Sequence, residues 1–490
     1  MRAGAASRIL VTLVVALSLQ PLTPAPGAQR GDGPDAGAPA WRQVPPRWRD
    51  AVSRPQVDPM YPQTGNDVVD ALHYSLDLTW RPATRTLIGR EVVTLRAARA
   101  ADALTLDLAA HLRVRSVRLD GRRVAFRHGG AQGDALVVPV SVRADSLHRL
   151  KISYRGRPHN VRSGPAAGAG IQINRRGELQ TCQPPFGAYT WYAVNDAISD
   201  KAYYDFRLRV RAPWTGVANG QLRGRRVVDG TTHTRWHLDQ PASPYLVVLG
   251  FGDYRRVTLG NVGGTPLTLW VPPGRARVAA RLSYLAPAMR WVERRLGPYP
   301  FDSLGILSTR GTGCGMETQT MITLGASNLA PQAEYLTSKE VVLHELVHQW
   351  YGDLTTPRDW HDLWMSEGMA YYLQLAFRAR QDHRSLDDVI ADQVPSARAS
   401  RREYGPPVDS DPEYYASINN YDGPAIMWHQ LRKRLGDREF WRLVRRWPHV
   451  HAIHNADRDQ LASWFSRRSG QDLRRFFHRW LYSPKLPPLH

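Results

Sequence analysis

The segment VVLHELVHQWYGD, from Val341 to Asp353, carries His344, Glu345 and His348. Residues four apart on a helix share a face, so the two imidazoles can reach one cation. Glu345, next in line, is then placed to take a proton from a nucleophilic water. Val341, Val342, Leu343, Leu346, Val347 and Trp350 surround these groups and predict a largely buried helix, closed by Gly352 and Pro357. A histidine pair at this spacing also arises by chance on helices, and a third ligand is what gives it weight. Glu367, in the apolar helical segment DLWMSEGMAYY, follows His348 after eighteen intervening residues. A helix–turn–helix of that length brings its carboxylate back beside the histidines. Two nitrogens, one carboxylate and one open position are the donor set of a catalytic site, because a structural site fills its fourth position with protein. One zinc ion per chain is expected, since no cysteine takes part.

The elements around this site read as an α+β chain. Between residues 63 and 258, short alternating segments such as ALHYSLDLTW, TLIGREVVTLRA and HRLKISYRG, separated by Gly, Pro and Asp, predict an antiparallel β-sandwich or saddle-like domain ending in the strand PYLVVLGFGDY. From 259 to 490 the spacing becomes mostly helical. ARVAARLSYLAPAMRWVERRL is expected to form an amphipathic helix stopped by Gly297 and Pro298. Arg2 and Arg8, the apolar run Ile9 to Leu19 and the alanines at 25 and 28 predict a secretory signal peptide over residues 1–28, and the Pro/Gly/Ala-rich stretch 29–62 a loose linker. The apolar run is shorter than a membrane span requires, and no second one follows. The mature chain is therefore expected outside the cell or in its envelope, without an integral span.

With 65 basic and 44 acidic residues the net charge is +21. The basic residues are scattered along the chain instead of forming runs, so no nucleic-acid partner is expected and charge alone names no other. No internal repeat is visible. The oligomeric state is not legible.

HELVHQW, the downstream Glu367 and the preceding GCGMETQT resemble the gluzincin aminopeptidases, the family of aminopeptidase N and leukotriene hydrolase. The resemblance runs from about Val68 to Pro487. It implies a saddle-like β-domain followed by a thermolysin-like, mostly helical zinc metallopeptidase domain, in the short two-domain form that lacks the family's large C-terminal helical domain. It also implies roles for particular residues. Glu317, with Gly315 and Met316 beside it, matches the glutamate that binds the substrate's free α-amine, although Thr318 stands where the family usually has asparagine. Gln183, in TCQPPFGAYTWYAVND, matches a second amine-binding position that carries glutamate in most members and glutamine in the leukotriene branch. A neutral amide attracts an ammonium less strongly than a carboxylate does. The alternative is that Gln183 satisfies backbone groups in its Pro-containing turn. Tyr421 matches the tyrosine that stabilises the oxyanion, with Pro424 in place of the family's glycine and Tyr414 and Tyr415 as nearby alternatives. Cys182 and Cys314 flank the two amine-binding positions, which leaves open either a disulfide between them or two separate buried thiols.

Together these features predict a secreted zinc aminopeptidase that cleaves N-terminal residues from peptides. An endopeptidase or epoxide-opening hydrolase of the same family is the alternative within the class. A non-catalytic zinc-binding protein with this fold is the alternative outside it.

Overall fold

Alternation of apolar and polar residues produces strands with one buried face. In Val69–Arg81 the side chains of Tyr74, Leu76, Leu78 and Trp80 are buried while His73, Ser75, Asp77 and Thr79 look the other way. The computed structural model describes residues 44–130, 133–274, 278–310, 315–325 and 335–489. In it this strand sits near the middle of an eight-stranded sheet. From one edge to the other the order is Gln221–Val228, Thr231–Ala242, Ala202–Arg211, Val69–Arg81, Thr86–Ala97, Leu147–Gly156, Leu112–Leu119 and Arg122–Val124. Neighbours are antiparallel except for Val69–Arg81 and Ala202–Arg211, which run parallel, a departure from the wholly antiparallel expectation. A four-stranded sheet containing Leu179–Cys182 and Leu249–Gly252 shares its core, in which Tyr74, Tyr192 and Tyr204 pack ring against ring.

The second half opens with strands instead of helices. Arg255–Val262, Thr265–Val271, Leu304–Ser308, Met321–Leu324 and Gly315–Met316 form a five-stranded sheet. Leu304–Ser308 is buried along its whole length, so its sequence shows no alternation from which a strand could be read. Helices follow from Tyr335–His348 onward. Trp270, Leu307, Met316, Met321, Trp360 and Leu363 of this half belong to the same apolar cluster as the β-domain, which joins the two cores. All described residues fall in one compact unit.

Two expectations change. The helix expected over 276–296 is broken: a short turn of helix at Val278–Arg281 gives way to a separate helix, Leu285–Leu296. Pro287 is the physical reason, since proline has no N–H to donate and fits only the first turn of a new helix. Residues 44–62, expected to be loose, are packed. Val44, Ala51, Met60 and Tyr61 are buried, and the hydroxyl of Ser53 donates to Asp70 (2.7 Å) and Asp200 (3.3 Å). The expected signal peptide and the first part of the linker lie outside the described residues. Among the described residues no helix is long and apolar enough to cross a membrane.

Candidate metal centre and active site

Helix Tyr335–His348 presents His344, Glu345 and His348, and helix Trp364–Gln381 presents Glu367 from its first turn. All four side chains are buried. His344 Nε2 lies 3.0 Å from Glu367 Oε2 and 3.0 Å from His348 Nε2, and His348 Nε2 lies 3.3 Å from the same carboxylate oxygen. The other ring nitrogens are already engaged. His348 Nδ1 donates to the Tyr351 carbonyl at 3.0 Å, and His344 Nδ1 meets Gln374 Oε1 at 3.1 Å. A proton on each Nδ1 leaves a lone pair on each Nε2, and two lone pairs facing each other at this distance are mutually repulsive until a cation lies between them. The donor set and its orientation therefore fit a zinc ion. The surrounding charge draws a cation to the same point: burial opposes protonation of His348, but Glu367, Glu317 and Glu345 outweigh it and raise its pKa well above the ordinary value, and a metal ion meets that demand for positive charge in place of the proton. Burial likewise opposes ionisation of Glu367, yet His348 and His344 hold its carboxyl well below the usual carboxylate range.

Glu345 and Glu317 converge on the same point, and their carboxylate oxygens with a His348 nitrogen all lie within 4.8 Å of one another. Gly315 closes over Glu345: a Cβ there would stand 2.9 Å from Oε1, so any other residue would push that carboxylate aside. Burial and the neighbouring Glu317 raise Glu345 well above the ordinary glutamate pKa. Glu317 is raised too, by burial first and then by Glu367, while His348 opposes both. Its backbone is anchored to the ligand helix, because Gln349 Nε2 donates to the Glu317 carbonyl (2.7 Å) while Gln349 Oε1 accepts from Thr320 N (3.0 Å) and the Tyr299 hydroxyl (3.1 Å).

Tyr421 precedes helix Asp422–Leu435, and its ring stacks on His344 at 5.9 Å and 23°. Burial and the carboxylates of Glu367, Glu317 and Glu345 raise its pKa well above 10.0, so the phenol stays a hydrogen-bond donor. Gly368, directly after the third ligand, lets the two helices meet: a Cβ there would lie 2.4 Å from Pro424 Cβ. Pro424 is thus both tolerated in a first helical turn and part of the contact that holds Tyr421 beside Glu367. Of the alternatives, Tyr414 is half exposed and packs on Tyr404. Tyr415 rests against Trp360 and feels the charges of Glu317 and Glu367, so it borders the site.

Two expectations fail on geometry. Gln183 is fully buried and spent: Nε2 donates to the carbonyls of Pro244 (2.7 Å) and Val247 (2.6 Å), and Oε1 accepts from Trp191 Nε1 at 2.7 Å. Both amide hydrogens are taken and burial closes the oxygen's second lone pair off from an amine, so the side chain serves its turn, as the alternative has it. Met316 points into the apolar core, so it offers a substrate only its backbone. Cys182 is disulfide-bonded. Cys314, the only other cysteine in the sequence, lies outside the described residues.

Gln374 and Gln349 were not singled out from the sequence. Gln374 lies seven residues after Glu367, two helical turns along the same face, and Gln349 directly follows His348; both spacings were visible.

This donor set, with Glu345 and Glu317 buried beside it on an α+β fold, is that of a catalytic zinc site. Residues 282–480 match the Peptidase family M1 domain. The chain is 23% identical over 437 residues to Aminopeptidase 2 of Candida albicans, covering 84% of this chain and 47% of that protein. It is 22% identical over 404 residues to Probable aminopeptidase 1 of Saccharolobus solfataricus, covering 78% and 50%. It thus spans about half the length of these curated relatives. The crystal structure of the M1 zinc metallopeptidase from Deinococcus radiodurans superposes with a TM-score of 0.78 at 25% identity, covering 88% of this chain and 98% of that one. Residues 282–480 thus carry a Peptidase family M1 domain, and the chain as a whole is similar in sequence and fold to M1 zinc metallopeptidases and aminopeptidases.

Proposed function

We propose that the chain is an exported aminopeptidase that removes residues from the free N-termini of peptides. The observation that carries this reading is the buried Glu317 carboxylate, held beside the base and the ligand His348. An ammonium docked on Glu317 sets the first peptide carbonyl over the three ligands, and a blocked terminus forfeits that ion pair. Since the side chain of Gln183 is engaged elsewhere, recognition of the amine rests on Glu317.

His344, His348 and Glu367 would hold the zinc, which when bound supplies a Lewis acid that polarises the carbonyl and acidifies a water. Glu345 takes the proton from the attacking water and returns it to the departing amine, a task suited to a carboxyl whose pKa burial has raised. The protonated Tyr421 hydroxyl donates to the carbonyl oxygen as negative charge develops there. Gln374 and the Tyr351 carbonyl keep the histidine rings turned so that Nε2 faces inward. Burial of all these groups excludes bulk water. The names of the relatives support the reading: the curated ones are aminopeptidases, and one Deinococcus radiodurans structure holds Tyr-Ser-Ala as substrate.

The test is a panel of aminoacyl fluorogenic amides, each offered with a free and with an acetylated amine, with and without a chelator. The proposal expects hydrolysis of the free-amine series alone, abolished by chelation. Equal hydrolysis of both series would replace it with an endopeptidase.

A further inference from the structure

Arginines that are scattered in the sequence become neighbours in the eight-stranded sheet. Period-two alternation sends the apolar residues of each strand inward and the basic ones outward, and the strand register then lines the basic ones up in rows. Arg118 lies directly opposite both Lys151 and Arg123, Arg113 opposite Arg155, and Arg207 opposite Arg235. All seven side chains are exposed. None has a carboxylate partner among the ion pairs of the described residues. The acids of the same face are already engaged, Asp77 by Arg209 and Asp205 by His73 and His237. Like charges directly opposite one another destabilise a sheet. A fold that keeps four such pairs on one face bears a cost that an external anion would offset.

The arrangement selects the kind of anion. At about 4.8 Å per strand, eight strands spread the charge over about 35 Å across the sheet. A linear polyanion would match a single stripe, whereas these rows extend in two directions. The rows contain Ile88, Val92, Ser75, Thr79, Ser116 and Ser153 between the cations, and the aromatic rings of this face, Tyr203 and Trp48, gather at His73, where Trp48 is already stacked on the imidazole and covered by Arg47, so no open series of rings follows the cations for nucleic-acid bases to stack on. Among the described residues the exposed large apolar side chains of this sheet are Val227 and Val228 at the tip of its edge hairpin, too small a wedge to insert among acyl chains. We infer that the outer face of this sheet docks peripherally on a surface of anionic lipid headgroups and keeps the protein at a membrane by electrostatics alone.

The test uses the full mature chain and sedimentation with vesicles of phosphatidylglycerol and phosphatidylcholine, against phosphatidylcholine alone. Binding to the anionic vesicles only is expected, and it should vanish in about 1 M salt, where the screening length is about 3 Å. The double variant Lys151→Glu, Arg235→Glu should bind at least about tenfold more weakly. It also turns two repulsive cross-strand pairs into attractive ones, so its melting temperature should hold or rise and its turnover of a small soluble substrate should stay unchanged. Those two readouts separate lost docking from lost folding. No binding to anionic vesicles, binding that the double variant retains, or binding to heparin or DNA without binding to vesicles would each overturn the inference.

Discussion

Glu367 Oε2 lies 3.0 Å from His344 Nε2 although the two residues are 23 positions apart in the chain. One residue further on, Gly368 lets the third-ligand helix touch Pro424 of the helix that follows Tyr421. Ligand, base and oxyanion donor are therefore fixed by the packing of three helices rather than by loops, and each can be altered singly.

Glu345 is assigned as base and not as ligand. Glu345→Gln should retain zinc and lower turnover by about 10²- to 10⁴-fold, the usual worth of a positioned general base. Elemental analysis of the purified variant beside its kcat checks this. A variant that loses its metal would show that the glutamates had been misassigned.

Glu317→Ala should lower kcat/KM on free-amine substrates by roughly a hundredfold, because it removes one partner of a buried charge pair. Acetylated analogues should be little affected. Equal losses on both would assign Glu317 a structural role.

Gln183 makes the opposite prediction. Gln183→Ala leaves two buried carbonyls and the Trp191 indole N–H without partners, at a cost of about 3 kcal/mol of stability. Denaturant unfolding should show that loss while the ratio of free-amine to blocked activity stays put. A changed ratio at unchanged stability would return Gln183 to the substrate.

The metal site was legible because its information is local: His344, Glu345 and His348 share one helical turn, and Glu367 lies a short reversal away. Other parts depended on contacts the sequence does not display. Residues 44–62 look like a linker by composition, yet Ser53 is held by Asp70 and Asp200, far along the chain. Leu304–Ser308 is buried on both faces and so carries no alternation. Gln183 matches a family position, but a match says nothing of which carbonyls its amide will meet. The break before Leu285–Leu296 was readable in Pro287, and the amphipathic pattern around it obscured the signal.

Asp196 ties down the turn after Gln183, its carboxylate accepting from the backbone N–H groups of Gly187 (3.0 Å) and Tyr189 (3.2 Å). Burial, and then the charge of Asp107, push its pKa from 3.8 up to about 7. A raised folded-state pKa means that the folded chain keeps a proton which the unfolded chain has released. The contribution is fully present below pH 3.8 and is lost as the pH rises towards about 7. The melting temperature of the wild type relative to Asp196→Asn should therefore fall across that window, since asparagine keeps an acceptor but cannot titrate. A flat or rising difference would contradict the assignment.

The most direct test of the central claim is a zinc titration of chelator-treated protein, with hydrolysis of a free-amine aminoacyl amide as the readout. The account predicts negligible activity in the metal-free chain and a linear recovery that saturates at about one zinc per chain. Full activity in the metal-free protein, or saturation at two zincs, would contradict it.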